Sequence, residues 1–420
     1  RIFRASFFIC FSSARAGPYG RPVFQRSGIF HFCGRMHNRI LAPGSAARLA
    51  GPRRFDYHGR PNGKPRPPHM NAPPPAGPKE RAPRPLCWTG DHPAPNPLLA
   101  ERLEQACGRP LVARGAWIPA RWHPVRRQLA YLRLAAALLA HRREYSAIHC
   151  VQQFIGLYAC ALAGWLRLRL PPLFLQPFIY VPRPGLFGRL WQALFSRALA
   201  NPALKIAFCH SPAEIEACRR LFPGAAAKFR PLHFAIEPIP GRPPAAPPYL
   251  FSSGTSCRDY ATLFAAARLL PPDCPPVRVA CKPADVAGLN VPANVSLHHD
   301  LWAQPYRDVL AAATLVIVPL QPLPVSAGQI VFAQAMSAER PVVATRTPAA
   351  VEFLGDACAW LVPPQDAPAL AQAIQAALAS PAAARAKAAA ARALFEERHS
   401  PAAVFAQCAA AIAAELAAAG

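Results

Sequence analysis

From Tyr249 to the end of the chain, short apolar runs alternate with helical patterns in unbroken succession, and few folds accept that order. Tyr249–Ser252 reads as a strand and Asp259–Leu270 as a helix. Val277–Cys281 and Val295–His298 are strands, Tyr306–Ala313 a helix and Leu315–Leu320 a strand. Ala327–Ala338 is a helix, Pro341–Thr345 and Trp360–Val362 are strands, and Asp366–Ala379, Ala382–Glu397 and Pro401–Leu416 close as helices. Apolar runs bounded by turns, most of them followed by a helix, mark a parallel sheet covered on both faces.

A second alternation, less regular, runs from Pro85 to Pro243. Its strands are expected at Leu86–Thr89, Ala147–Val151, Pro172–Gln176, Ile206–Cys209 and Phe229–Phe234. Helices fall near Pro97–Ala106, Pro124–Arg142, Ile155–Leu166 and Leu186–Leu199, and one more opens at Ser211 with Pro212 and Glu214 as a capping box. The Pro- and Gly-rich segment Glu237–Pro248 separates the two alternations. The expected architecture is α/β, with two doubly wound Rossmann-like units over 85–243 and 249–420.

Net charge is +26 over 420 residues, which raises the question of nucleic acid. Much of that charge is local. Residues 1–69 hold thirteen Arg and Lys against one acid, Asp56, and the run from Arg60 to Pro97 is too rich in proline to build a core. Residues 1–84 are therefore expected to be a disordered leader, with translation starting at Met70, and no nucleic-acid partner is expected. The 13 Cys show no Cys-x-x-Cys spacing, so they read as reduced thiols in a cytoplasmic protein, without a disulfide framework or a zinc site. No charge-free apolar run of about 20 residues suggests a transmembrane helix.

Ligands of open parallel sheets sit outside the carboxyl ends of the strands, where helix N-termini offer free N–H groups to anions. Two such junctions stand out. In Ser252–Tyr260, "SSGTSCRDY", the small residues Gly254 and Thr255 permit close approach of a phosphate and Arg258 adds a bidentate charge. The plainer reading is an ordinary turn with Arg258 exposed and Asp259 as a helix cap. In the second, Ser326-Ala327-Gly328-Gln329 opens a helix with Ser326 as N-cap, and Gln334 lies two turns on along the same face. Its plainer reading is a buried helix with a polar margin. Lys282, ending the Val277–Cys281 strand, is a phosphate candidate by position, or else a solvated surface Lys.

Taken together, "SGTSCRDYATLFAAARLL", "ATLVIVPLQP…SAGQIVFAQAMSAERPVVATRTPAAVEFL" and "AWLVPPQDAPALAQAIQAAL" resemble consecutive blocks of the family-4 (group 1) glycosyltransferases of the GT-B fold. That resemblance implies two Rossmann-like domains facing a central cleft, a nucleotide-sugar donor as substrate rather than a bound cofactor, and retaining, metal-independent transfer. It implies that Arg258 neutralises the donor diphosphate and that the turn Ser326–Gln329 receives the phosphate or sugar. Ser326 and Gln334 stand where the family's Glu-x7-Glu motif has its two carboxylates, the second usually on the ribose hydroxyls. A glycan or lipid-linked acceptor follows, and the alternative is a catalytically silent GT-B binding protein.

Three weaker features complete the reading. Asp91 and His92, in the first strand–helix loop, are acceptor-side base candidates by position, or a polar turn. His149, His210 and the His298-His299-Asp300 run lack metal-ligand spacing. Arg183–Arg197, "RPGLFGRLWQALFSR", carries three Arg and no acid among Leu, Phe and Trp. It suits either contact with an anionic membrane, at the inner face of the plasma membrane, or a core-packing helix with exposed Arg.

Overall fold

The computed structural model describes residues 83–119, 121–322 and 327–418. All of the leader but its last two residues, with Met70, lies outside the described residues, as does Ser326.

In the amino-terminal half, β1 (Leu86–Thr89), α1 (Pro97–Cys107), β2 (Leu111–Ala113), α2 (Pro124–Ala140), β3 (Ala147–Cys150) and α3 (Gln153–Trp165) come first. β4 (Leu173–Leu175), α4 (Gly185–Leu199), β5 (Leu204–Cys209), α5 (Pro212–Leu221) and β6 (Phe229–Pro231) follow. The strands form one parallel sheet in the order β2-β1-β3-β4-β5-β6. β1, β3 and β4 are buried along their whole length, so they read as unbroken apolar runs rather than alternating ones. β2 is absent from the sequence reading for a physical reason: it is three residues at the sheet edge, partly exposed, and too short to show a period. α5 starts as its residues dictate. Ser211 Oγ accepts the Glu214 N–H at 3.2 Å, and Glu214 Oε2 accepts the His210 N–H at 3.0 Å.

The carboxyl-terminal half runs β7 (Leu250–Ser253), α6 (Tyr260–Arg268), β8 (Val277–Ala280), β9 (Val295–His298), α7 (Ala303–Ala311) and β10 (Leu315–Val318). Then come α8 (Gln329–Ser337), β11 (Val342–Thr345), α9 (Pro348–Phe353), α10 (Gly355–Cys358), β12 (Trp360–Val362), α11 (Ala367–Ala379), α12 (Pro381–Arg398) and α13 (Pro401–Ala418). Its parallel sheet has the order β12-β11-β10-β7-β8-β9. Crossovers leave β7 toward one edge and β10 toward the other, so the crevice of this doubly wound sheet opens above the carboxyl ends of those two strands. In the first sheet the equivalent place lies between β1 and β3.

One core of this half gathers Phe251, Phe332, Met336, Phe353 and Phe395 between the sheet and α8, α9 and α12. The linker is fastened to it: Ile239 is buried, its N–H donates to Ser337 Oγ at 3.0 Å, and the Ala245 N–H donates to Ala312 O at 2.9 Å. The last helix goes elsewhere. α13 packs Val404, Phe405, Cys408 and Ile412 against Leu86, Leu99, Leu103 and Phe174 of the first half, so the unit expected over 249–420 yields its final helix to the other core. Cys408 Sγ and His149 Nε2 both point at Gln176 Oε1, at 3.3 and 2.9 Å, and burial pushes the His149 imidazole down to about 4, leaving it neutral there. The stretch Pro381–Ala418 is apolar and long enough to cross a membrane by length and composition alone. It is two helices, and the second fills the core just described.

Candidate active site

The loop that leaves β7 is built around Arg258. Gly254 takes φ 113°, and a Cβ there would strike the Arg258 guanidinium, so only glycine fits both demands. Arg258 folds back over the loop, with Nε donating to Ser253 O at 2.7 Å and Nη1 to Ser256 O at 2.9 Å. Two backbone bonds join this loop to the one leaving β10: Asp259 N–H to Pro319 O at 3.1 Å and Gln321 N–H to Cys257 O at 2.9 Å. Asp259 caps α6, its carboxylate accepting the Thr262 N–H at 3.1 Å. Thr255 is half-buried in the same turn.

Arg258 is only 9 % exposed, and it belongs to none of the ion pairs among the described residues. Its bonds go to neutral carbonyls. Burial lowers its pKa from the ordinary guanidinium value; nearby Tyr260 and Tyr306 and the carboxylate of Asp285 act the other way. A cation held out of water with no carboxylate in contact is a costly arrangement that an anionic ligand would relieve.

On the second loop the structure corrects the sequence reading. The N-cap of α8 is Gly328, in the left-handed region at φ 87°, rather than Ser326, and the helix opens at Gln329 rather than at Ala327. A Cβ on Gly328 would come within 2.8 Å of the Phe332 ring. Among the described residues no side chain caps this end, which leaves the first-turn N–H groups to another acceptor. Ala327 is buried beside it. Gln329 is nine-tenths buried, and its Nε2 has no hydrogen-bond partner. An orphaned buried amide at a bare helix start is a place for an anion or a hydroxyl-bearing ligand.

Gln334, further along α8, is buried, and its Oε1 accepts from Tyr306 Oη at 2.9 Å. Tyr306 Oη lies 3.0 Å from Ser253 Oγ at the end of β7. Sequence reasoning missed Tyr306, which sits in an α7 pattern with nothing to mark it as polar-facing. Lys282 lies two residues past the end of β8 and caps a short turn, with its N–H on Asp285 Oδ2 at 2.9 Å. His299 Nδ1 lies 2.9 Å from Cys281 O beside it. Among the described residues, no group of three His, Cys, Asp or Glu is placed to hold a metal.

Residues 279–380 match the sequence model of the family described as glycosyl transferases group 1. Over that stretch the carboxyl-terminal half is similar to the group 1 glycosyltransferases. No curated protein matches the chain. Among solved structures, HepE of Anabaena, in a complex with UDP, is 16 % identical with a TM-score of 0.57, over 79 % of this chain and 100 % of that one. A glycosyltransferase from Rickettsia africae gives 13 % and 0.57, over 80 % and 99 %. Sucrose-phosphate synthase from Thermosynechococcus elongatus gives 18 % and 0.57, over 80 % and 100 %. These likenesses establish a GT-B fold.

The crevice of the first sheet holds a second polar cluster. Asp91 Oδ2 lies 3.5 Å from Gln152 Nε2, and Gln152 Nε2 lies 3.4 Å from Tyr131 Oη. Tyr131 also accepts from Arg127 Nη2 at 3.1 Å, and burial, with Asp91 adding and Arg127 opposing, pushes its phenol up to about 12. The His92 ring stands edge-on to Trp117 with centroids 4.9 Å apart. Arg127, Tyr131 and Gln152 are additions to the sequence reading; an Arg on the buried face of α2 was the available signal. His210 is spent on structure, with Nδ1 3.0 Å from Leu232 O and its ring stacked on Phe234.

Proposed function

We propose that the protein transfers a sugar from a nucleotide-sugar donor to a glycan or lipid-linked acceptor, binding the donor diphosphate between β7 and β10. The observation that carries this reading is Arg258, a buried cation that forms no ion pair among the described residues. Breaking the bond from sugar to diphosphate puts negative charge on the leaving oxygens. Arg258, the open N-terminus of α8 and the Gln329 amide are donors already held where that charge develops, so little reorganisation is needed. Retaining transfer is what the family resemblance implies, and the metal-independent reading rests on these groups supplying the neutralising charge. Gly254, Thr255, Ala327 and Gly328 give the backbone room, Lys282 stands at the neighbouring strand end, and Ser326 and Gln334 take the positions of the two family carboxylates. Asp91 and His92, in the loop after β1, are read as acceptor-side base candidates by position.

Titrating the full chain with nucleoside diphosphates and nucleotide sugars, UDP first because the HepE complex holds it, tests the site by melting temperature. A ligand at a hundredfold excess over its Kd stabilises the folded state by about 2.7 kcal/mol. A shift selective for one base supports the donor reading, and sugar transfer supports the enzyme. A well-folded chain that responds to no diphosphate sinks the donor reading; binding without transfer favours a silent GT-B protein, which the two non-acidic replacements would suit.

We also read α4 as a contact with the inner, anionic face of the plasma membrane. Its inner side is packed through Phe195 and Leu199, whereas Leu186 and Leu190 are 73 % and 62 % exposed. Arg183 lies over the Trp191 ring at 5.1 Å, and residues 121–200 hold eleven Arg against one acid, Glu144. Each surface Arg near such a bilayer contributes about 1 kcal/mol. Reversing Arg183 and Arg189 to Glu is expected to weaken sedimentation with phosphatidylglycerol-containing vesicles by more than about tenfold. Unchanged sedimentation, or equal binding to neutral vesicles, counts against the contact.

A further inference from the structure

Among the described residues three histidines are fully buried, His149, His210 and His399, and all three lie where the two halves of the chain are joined. The chain passes between the halves twice, along the linker after β6 and again from α12 into α13. His399 stands at the second passage, 1 % exposed, between the end of α12 and the Ser400 that caps α13. Its ring stacks on Phe353 of α9 with centroids 4.5 Å apart, and its carbonyl accepts the Ile236 N–H of the linker at 3.0 Å. His233, half-buried at the first passage, stands edge-on to His399 at 4.9 Å. His210, after β5, stacks on Phe234 of the linker at 3.6 Å. His149 lies beneath α13, its Nε2 3.9 Å from Cys408 Sγ.

Each of these rings has a nitrogen with nowhere to place a proton. His210 Nδ1 donates to Leu232 O at 3.0 Å, so its lone pair is on Nε2, which is buried with no hydrogen-bond partner. Nδ1 of His149, of His233 and of His399 is likewise buried and without a partner. A charged imidazole is a donor at both nitrogens, so protonation leaves a bare buried N–H at every one of these sites. None of the four rings forms an ion pair among the described residues. Burial, with His233 and Arg398 adding, holds the His399 imidazole down at about 3. Burial, opposed by the Leu232 bond and aided by His233, holds His210 at about 4, and burial and Arg398 lower His233.

We infer that these four histidines are a proton-sensitive latch: while neutral they seal the joint between the halves, and proton uptake loosens that joint and the seat of α13 while the carboxyl-terminal sheet stays folded. The inference is independent of what either crevice binds. Between β7 and β12 no histidine is fully buried among the described residues, so acid has no equivalent point of attack there. Two carboxylates at the joint act in the opposite sense. Glu214 Oε2 accepts the His210 N–H at 3.0 Å, and Glu352 on α9 feels the Glu214 charge. Burial raises both, with Glu214 adding to the rise of Glu352. Protonating a raised carboxylate favours the joined form, whereas protonating a depressed imidazole disfavours it. The histidine contribution is complete above the ordinary imidazole value of about 6.5 and is lost as pH falls below it.

Hydrogen exchange of the full chain at pH 7.5 and pH 5, read by mass spectrometry and corrected for intrinsic rates, tests the latch. Peptides over 232–239 and 396–404 report the joint, since they hold the Ile236 amide and the first hydrogen-bonded amides of α13. Peptides over 250–345 are the reference. Each buried histidine that regains its ordinary value on opening favours the opened form by roughly 30-fold at pH 5. Protection of the joint should therefore fall by at least about tenfold relative to the reference. Unchanged protection at the joint, or a fall shared equally by the reference peptides, overturns the latch. His399→Phe keeps the stack on Phe353 and cannot take a proton, so it should retain about tenfold more joint protection at pH 5 than the parent. His233→Phe, at a half-buried position, should act in the same direction by a smaller factor, and it decides alone where His399→Phe does not fold. Glu352→Gln should leave the acid loss in place. A loss of parental size in the folded Phe variants, or its disappearance in Glu352→Gln, would end the proposal.

Discussion

Arg258→Met reduces kcat/KM for sugar transfer by roughly 10²- to 10³-fold, the scale on which removal of one preorganised donor to developing charge acts. The folded chain is expected to tolerate the change. Met loses the bonds to Ser253 O and Ser256 O, at about 1–3 kcal/mol for each carbonyl left unpaired. Against that, it removes a buried guanidinium that has no carboxylate in contact, whose desolvation costs several kcal/mol. The two terms are of similar size and opposite sign, so the ligand-free melting temperature should move little while the nucleotide-induced shift disappears. A purely structural Arg gives the reverse pattern, lower stability and undisturbed transfer. Arg258→Lys keeps the charge but not the fork, and is expected to fall between. Initial rates and melting curves on the same three proteins decide it; transfer by the Met variant at the parental rate would end the donor role of Arg258.

The strands of the second sheet were legible because β7, β10 and β11 are buried along their whole length, and β8 nearly so. The elements that escaped are those whose partner is remote in sequence or whose length is minimal. β2 is three residues at an edge. Tyr306 and Gln334 meet across 28 positions, and nothing in the intervening pattern announces it. The start of α8 slid by two residues because Ser is the usual N-cap while the chain here turns through a left-handed glycine, a conformation that costs Gly nothing and leaves the helix end bare. Arg258 was recognisable by position, but its loneliness was not. Only the fold shows that, among the described residues, no acid forms an ion pair with it.

α13 illustrates the remaining limit, and carries the larger structural consequence. Its apolar pattern, with Val404, Phe405, Cys408 and Ile412, declares a packing helix without naming the partner. The partner is α1 and the back of the first sheet. Ending the chain before Pro401 is therefore expected to unfold the amino-terminal half rather than trim the carboxyl-terminal one. Replacing a single buried Phe by Ala costs about 3–5 kcal/mol, and the truncation strips Val404, Phe405, Cys408, Ala409 and Ile412 at once. Together these exceed the roughly 5–15 kcal/mol by which domains are stable. Gln176 and His149 would also face water where Cys408 had been. Near-UV circular dichroism and limited proteolysis should show loss of packing around Trp88 and cleavage within 85–231, while peptides from 250–395 stay protected. Phe405→Ala, at about 3–5 kcal/mol, should lower the melting temperature without abolishing the fold. A truncated chain that melts within a few degrees of the full one, with equal protection on both sides, would mean that α13 is a passenger. Short of that, the helix is the strap by which the carboxyl-terminal half holds the amino-terminal half together, and on the proposed function its loss should end transfer even where nucleotide still binds.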